Sequence, residues 1–398
     1  MQHEHHHISL NLIIRNQPAR REGGAIGLHK YIMNLTNLIE QWGEPVILAT
    51  GGAFIGALFG FFAQRSRFCL RAAVVEFWRG QPGEKLAVWL LAFAAAVLGV
   101  QALTLLGWMD ASNARQIAAR GSLSGALIGG LIFGVGMILT RGCASRLLVL
   151  SANGNLRALL SGLIFAVTAQ AALSGALAPL RTAISALWTV EGGASRDLLA
   201  LTGLGHAGGL AFGALWLAAA LWFALRSGGT SWKWVGGLGA GLSIAAAWWF
   251  TWWVAGHSFE VVPVQGMTFS GPSAEWLMRV LATPAPVVGF DAGLLPGVFA
   301  GSLLGALIGG DYKLEGFGDG YSMRRYIVGA ALMGFGAMLA GGCAVGAGVT
   351  GGAVFALTAW LALIGMWVGA GLTDWAMDRP RPTGGLLQTA DSKPLVAP

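Results

Sequence analysis

Apolar residues along this chain neither alternate at the period of a strand nor form the one-sided stripe of a soluble helix. They come in blocks of roughly 17 to 25 residues, the length a helix needs to cross a bilayer. Such blocks lie near 45–63, 86–107, 121–140, 155–178, 206–225, 234–255, 291–310, 325–341 and 353–373, and predict nine transmembrane helices. Three shorter apolar pieces, 66–78, 142–152 and 343–351, open with Cys or with Arg and Gly. They are too short to cross and are expected as re-entrant loop-helix elements. The stretch 256–290 carries Pro263, Pro272, Pro284 and Pro286 and reads as an outer loop with one short helix from about Ala274 to Leu281. The expected organisation is an N-terminal tail over 1–44, a first membrane half over 45–180, intervening spans and outer loops over 181–290, a second membrane half over 291–375 and a C-terminal tail over 376–398.

Composition fixes the class. Of 398 residues 55% are hydrophobic and 11% charged, against about 25% charged in soluble domains, so the chain is an all-α polytopic membrane protein. Its 62 glycines suit close helix packing and its 17 tryptophans suit interfacial anchoring; Trp248, Trp249, Trp252 and Trp253 read as such a belt. The net charge of +7 is dispersed among the apolar blocks and points to cytoplasmic loops and anion attraction rather than to nucleic acid. With nine spans, the side of the N-terminal tail holds nine Lys and Arg and the other side sixteen. The positive-inside rule then places the N-terminus outside and the C-terminus in the cytoplasm. No uninterrupted apolar region precedes residue 45, so a cleaved signal peptide is not expected. Residues 1–32 read as a disordered tail in which Met33 is an alternative start, and the histidines among His3 to His7 are given no function.

Three spans repeat one pattern. Gly60, Gly134 and Gly334 each end a GxxxG-like segment, and each is followed nine residues later by a cysteine: Cys69, Cys143 and Cys343. The second and third copies read GVGMILTRGCA and GFGAMLAGGCA, 200 residues apart. A second echo, GxFxGxLxG, occurs at Gly52 to Gly60 and Gly297 to Gly305. The glycine beside each of the last two cysteines permits a sharp turn, and the turn presents backbone N–H groups at the start of a short helix, a seat for an anion. Gly142 and Ala144 in one copy, and Gly342 and Ala344 in the other, are the expected seats. A thiol adds a soft, weak S–H donor suited to sulfur. Arg65, Arg67, Arg71, Arg141 and Arg146 flank the first two cysteines and satisfy the positive-inside rule; Arg141, abutting the Gly-Cys turn, is the best placed to attract an anion. Gln64, Gln101 and Gln170 are polar residues in or at spans, suited to helix–helix hydrogen bonds or to lining a pathway. With nine spans the first two turns enter from one face and the third from the other, giving an hourglass with three thiols along one path.

The motifs QRSRFC at Gln64 to Cys69, RGCAS at Arg141 to Ser145 and GGCAVG at Gly341 to Gly346 resemble those of the YeeE/YedE sulfur-transport family of bacterial inner-membrane proteins. The resemblance runs from about Ala49 to Ala370. It implies an hourglass of spanning and short helices, with Cys69, Cys143 and Cys343 as a non-covalent S–H relay for thiosulfate or a related sulfur anion. It also implies a small TusA-like sulfur carrier as a cytoplasmic partner. No cofactor, metal or catalytic residue is expected, since no phosphate-cradling GxxxxGK[ST] stretch exists and the GxGxxG at Gly346 to Gly351 lacks a strand before it. A persulfide-forming membrane sulfurtransferase, a carrier of another sulfur or selenium species, and a channel using the thiols as soft metal ligands are the competing readings. Asp311 is the nearest candidate for a proton relay, or a cap at the end of a span.

Overall fold

The computed structural model describes residues 41–284, 287–317 and 320–378, so the histidine-containing tail and the chain beyond 378 lie outside the description. Among the described residues nine helical stretches are long and apolar enough to cross a membrane. The helices used below are α1 Glu44–Ser66, α2 Leu70–Trp78, α3 Glu84–Leu105, α4 Leu123–Leu139, α5 Ala144–Ala152, α6 Leu156–Ser174, α7 Ala178–Ala186, α8 Gly205–Arg226, α9 Ser231–Ala255, α10 Ser270–Leu281, α11 Phe290–Gly309, α12 Gly320–Ala340, α13 Ala344–Thr350 and α14 Leu357–Thr373. The three short apolar pieces are α2, α5 and α13, and the loop after α9 carries α10 as expected. The apolar blocks do not announce α7, a nine-residue helix with no buried residue, or the two-residue pairing of Gly121–Ser122 with Thr189–Val190.

Local chemistry sets the helix ends. Ser122 and Asn155 cap α4 and α6 by accepting the amides of Gly125 and Ala158, each at 2.8 Å. Gly310, left-handed at φ 69°, closes α11. The spans are then drawn together by their glycines. A Cβ on Gly52, Gly56 or Gly60 of α1 would overlap the carbonyl oxygens of Phe290, Leu294 or Val298 in α11. Reciprocally, a Cβ on Gly293, Gly297 or Gly301 would overlap those of Ala49, Ala53 or Ala57. The GxFxGxLxG echo thus marks two helices that interlock face to face, where only glycine lets the backbones approach. Around α4 the same happens twice: Gly129 and Gly136 meet the backbone of α12, while Gly130 and Gly134 meet that of α14.

Ion pairs and hydrogen bonds define one end of the bundle. Arg79 forms a two-pronged bond to Asp374 at 2.7 and 2.8 Å, Arg325 binds Asp378 at 2.7 Å and Arg71 reaches the same carboxylate at 3.8 Å. Asn155 donates to Glu315 at 2.5 Å. We call this the Asp378 face. The opposite end, the Arg115 face, carries Arg115, Arg120, Arg181 and Arg196.

Trp248 corrects the reading of the aromatic belt. It is fully buried and its indole N–H donates to the carbonyl of Thr350 at 3.3 Å, bracing α13. Trp249 and Trp253 stack on each other at 5.8 Å, and Trp249 stays exposed.

Candidate substrate pathway

The three cysteine repeats fold alike to the level of single hydrogen bonds. In each, the residue two before the cysteine turns left-handed: Arg67 at φ 55°, Arg141 at φ 58° and Gly341 at φ 80°. The next amide, of Phe68, Gly142 or Gly342, donates back to the carbonyl of Ala63, Met137 or Ala337 at 3.0, 3.2 and 2.9 Å. This is the bond that closes a helix before a reversal of direction. The cysteine is then extended and starts the short helix, its carbonyl accepting from Ala73, Leu147 or Ala347. A second left-handed residue, Gly80, Gly154 or Phe355, ends each unit. It follows the cysteine by eleven residues in the first two copies and twelve in the third, where α13 is a π-helix. One extra residue per turn segment is what a π-turn absorbs.

The strained position therefore lies one residue earlier than the Gly-Cys pattern suggests. The left-handed residue is the arginine or Gly341, and the neighbour has a different constraint. A Cβ on Gly342 would meet the Ala347 amide nitrogen at 2.6 Å, so glycine is required there. A Cβ on Gly142 has ordinary room, its nearest neighbours at 3.6 Å. In the first copy Phe68 occupies the place and packs edge-on to Phe59, ring centroids 6.1 Å apart.

The cysteines are enclosed, at 8% exposure for Cys69 and 1% for Cys143 and Cys343. Cys69 and Cys143 meet side chain to side chain, and Cys143 lies 3.4 Å from the hydroxyl of Ser145. Cys343 accepts the Gly346 amide at 3.5 Å, which puts its sulfur on the positive end of α13. At Cys69 and Cys143 the equivalent amides, of Ala72 and Arg146, approach the sulfur without closing a cap hydrogen bond. The two groups of thiols enter from opposite faces, since α1 and α4 run toward the Asp378 face and α12 runs away from it; α5 and α13 touch in the interior. Phe59 links the turns, packing on Phe68 beside Cys69 and on Phe269 at 5.4 Å, next to the Thr268 that abuts α13.

A polar cavity lies on each side of this apolar waist. On the Asp378 face one of about 210 Å³ is lined by Gln64, Arg67, Arg146, Asn153, Asp311 and Lys313 among others. Arg67 pairs with Asp311 at 3.6 Å, and Gln64 donates to the same carboxylate at 3.4 Å. Three polar atoms in it are buried with no hydrogen-bond partner: Arg146 Nη1, Gln64 Oε1 and Asn153 Oδ1. Arg146 also acts electrostatically on both Cys69 and Cys143, as Arg71 does on Cys69. On the Arg115 face two adjoining cavities of about 630 and 260 Å³ share Arg115, Gln116, Arg181 and Gly341, the last at the Cys343 turn. Arg196 is 7% exposed and supports this wall, donating to the carbonyls of Arg115 and Ala119 and, at 2.7 Å, to the hydroxyl of Thr358. Burial first, and the Arg115 charge second, lower its pKa.

The expected site residues divide accordingly. Cys69, Cys143, Gln64 and Arg67 gather at the Asp378 face or the waist, while Cys343, Gly342 and Ala344 form the turn at the Arg115 side. Ala144 starts α5 beside the thiol pair. Arg141 stands exposed at its turn, where its charge acts on Arg71 and Asp378. Arg146, one helical turn past Cys143, takes the position beside the thiols; a charge where the other copies carry Ala72 and Gly346 is the signal that could have singled it out. Arg115 and Arg181 are brought together only by the fold, and no spacing in the sequence announces them. Gln101 ties helices together, donating to the Ala353 carbonyl at 2.8 Å, and Gln170 bonds locally to Ser174.

A curated relative from Spirochaeta thermophila named thiosulfate transporter TsuA is 28% identical over 345 residues, covering 82% of this chain and 98% of its own. Its namesake from Escherichia coli is 25% identical over 358 residues, covering 81% and 93%. The family model described as Sulphur transport matches residues 65–372, which include all three cysteine turns. By that match over most of its length, the chain belongs to the Sulphur transport family.

Proposed function

We propose that the protein imports thiosulfate across a bacterial inner membrane, from the Arg115 face to the Asp378 face, without covalent chemistry. The observation that carries this reading is the conjunction of guanidinium-lined cavities with three buried thiols between them, each thiol at the head of a short helix. Thiosulfate has two chemically different ends. Its oxygens suit arginine and backbone N–H groups; its terminal sulfur suits S–H donors. Arg115 and Arg181 collect the anion, Cys343 takes the sulfur end, Cys143 and Cys69 receive it in turn, and Arg146 with Arg67 draws the oxygens into the exit cavity. The name that both relatives carry supports the substrate. In this orientation the N-terminus is outside, and the Asp378 face meets the cytoplasm, where a small TusA-like carrier takes the anion onward.

Entry of an anion into a cell negative inside works against about 2.3 kcal/mol per charge per 100 mV. A dianion therefore needs a driving force.

The test is uptake of sulfur-labelled thiosulfate by cells lacking their own sulfate and thiosulfate importers. Uptake is expected with the native chain and absent from well-expressed Cys143→Ala and Cys343→Ala. Full uptake by both variants refutes the relay. Mass spectrometry after turnover separates it from sulfurtransferase chemistry, because a relay leaves all three thiols unmodified and a persulfide adds a sulfur atom.

A further inference from the structure

We propose that the crevice behind the Cys143 helix binds one hydrocarbon chain of a membrane lipid, which completes the lipid-side wall of α5 whichever anion the pathway carries.

The cavities at the two mouths are lined by charges, and each holds buried polar atoms without a partner. A third cavity, of about 360 Å³, has the opposite character. It lies between α5, α6, α10 and α11, with Ala144, Leu147 and Leu148 of α5 forming one wall. Among the described residues lining it only three side chains carry a polar atom, and all three bond within the protein. Ser151 donates to the Leu147 carbonyl at 2.7 Å, Ser273 to the Phe269 carbonyl at 2.6 Å, and the Trp276 indole N–H to the Ala292 carbonyl at 3.1 Å. No donor is left over to hold a polar ligand, and an apolar void of this kind stays dry. The chemistry that fits it is hydrocarbon.

The crevice owes its shape to a missing side chain. A Cβ on Gly162 of α6 would have no atom within 4 Å, so the helix shows bare backbone where a side chain would fill the gap. On the open side Leu159, Leu163, Val280 and Phe299 stand exposed. Since α6 and α11 are membrane spans, that side faces the bilayer, whose acyl chains are the apolar partner always at hand. From Leu159 to Ala166 the crevice follows α6 for about 10 Å along the span, the direction in which acyl chains already run.

Its position ties the occupant to the pathway. Ala144 and Leu147 follow Cys143 by one and four residues, and the Leu147 amide closes the first turn of α5 onto the Cys143 carbonyl at 2.9 Å. An empty gap denies α5 dispersion contacts on one side. A chain in the crevice restores them and holds the head of the helix where Cys143 meets Cys69.

The experiment uses the full chain in vesicles of phosphatidylethanolamine and phosphatidylglycerol, with a trace of phosphatidylcholine bearing a diazirine midway along one acyl chain. After photolysis the labelled residues are mapped by mass spectrometry. Lipid at the rim labels exposed positions such as Leu215 and Leu225 of α8. A chain in the crevice also labels α5, although Leu147 is only 1% exposed. Label is expected on 144–151, well above that on the enclosed stretch 91–97 of α3. Gly162→Leu, which puts a side chain into the gap, is expected to lose the label on α5 and keep that on α8. Val280→Trp, at the mouth of the crevice, gives the same test by a second route should Gly162→Leu fail to fold. Label on 144–151 no higher than on 91–97 overturns the proposal, as does label there that neither variant lowers. A native dimer that both variants split into monomers, read by native mass spectrometry, also overturns it and gives the crevice to a second copy of the chain.

Discussion

Replacing Arg146 by Met separates a substrate ligand from a structural strut. The guanidinium stands beside Cys69 and Cys143, and its Nη1 is buried without a partner. If that nitrogen is held for the oxygens of the passing anion, its removal costs one charge-assisted hydrogen bond, about 1.5–3 kcal/mol. At 1.4 kcal/mol per tenfold, the thiosulfate concentration for half-maximal uptake rises roughly 10- to 150-fold. The fold responds in the opposite sense. An incompletely paired buried cation contributes nothing to stability in the empty protein, and an apolar side chain of similar volume there is neutral or stabilising by about 1–4 kcal/mol. Arg146→Met is therefore expected to melt in detergent at or above the native temperature while transporting poorly at low substrate. Arg146→Lys, which keeps the charge but not the fork, falls between. Concentration-dependent uptake in cells and thermal unfolding of purified protein read the two effects. An unchanged half-saturation concentration, or a clear drop in melting temperature, refutes the reasoning and makes Arg146 a brace.

Three further outcomes follow from the packing and the turns. Gly297→Val drives a side chain into the Ala53 carbonyl and is expected to destabilise the α1–α11 pair by about 1–3 kcal/mol or more, seen as a lower melting temperature. Arg141→Gly relieves an exposed left-handed arginine, worth roughly 1 kcal/mol, and is expected to raise the melting temperature slightly with uptake preserved; loss of uptake would return Arg141 to the pathway. Thr350→Val removes the hydroxyl that donates to the Met267 carbonyl at 2.6 Å, costs about 1–3 kcal/mol, and speeds amide exchange in 344–350 relative to 144–152.

Membrane class and span number are legible because a bilayer demands length and apolarity, which composition displays directly. The cysteine turns are legible because they recur. What repeats in space also repeats in sequence, down to the step of nine positions from Gly60 to Cys69. The fine chemistry is less so. Only comparison of the copies, which carry Ala72 and Gly346 at the equivalent place, separates Arg146 from Arg141, five residues away, and helical geometry then turns one toward the thiols and leaves the other outside. Trp248 looks like its neighbour Trp249, yet faces α13 because one helical position is about a hundred degrees of rotation. Arg115, Arg181 and Asp291 come from three separated segments, and only the tertiary fold makes them line one chamber with Met338 and Gly341. The π-turn of α13 hides in plain sequence, since a single added residue among small side chains leaves the apolar pattern intact.

The interlocked glycines also bear on how the molecule can move. Wherever backbones mesh without side chains between them, sliding or rocking one helix against the other means lifting each Cα–H ridge out of its groove at once. No lubricating layer of side chains replaces the dense packing given up. Both α1 and α4 deliver a cysteine to the waist, and both are meshed in this way. The seams lie within two groups, α1 with α11 and α4 with α12 and α14, so each group is stiff within itself and can move only as a unit. On the relay reading proposed above, passage needs only parts outside the seams: rotamers of Phe59, Phe68 and Phe269, thiol hydrogens that swing about their Cβ–Sγ bonds, and the arginine side chains at either mouth. Such parts rearrange on the timescale of side chains rather than of domains, so turnover should depend little on bilayer stiffness or thickness, in contrast to carriers that tilt whole bundles.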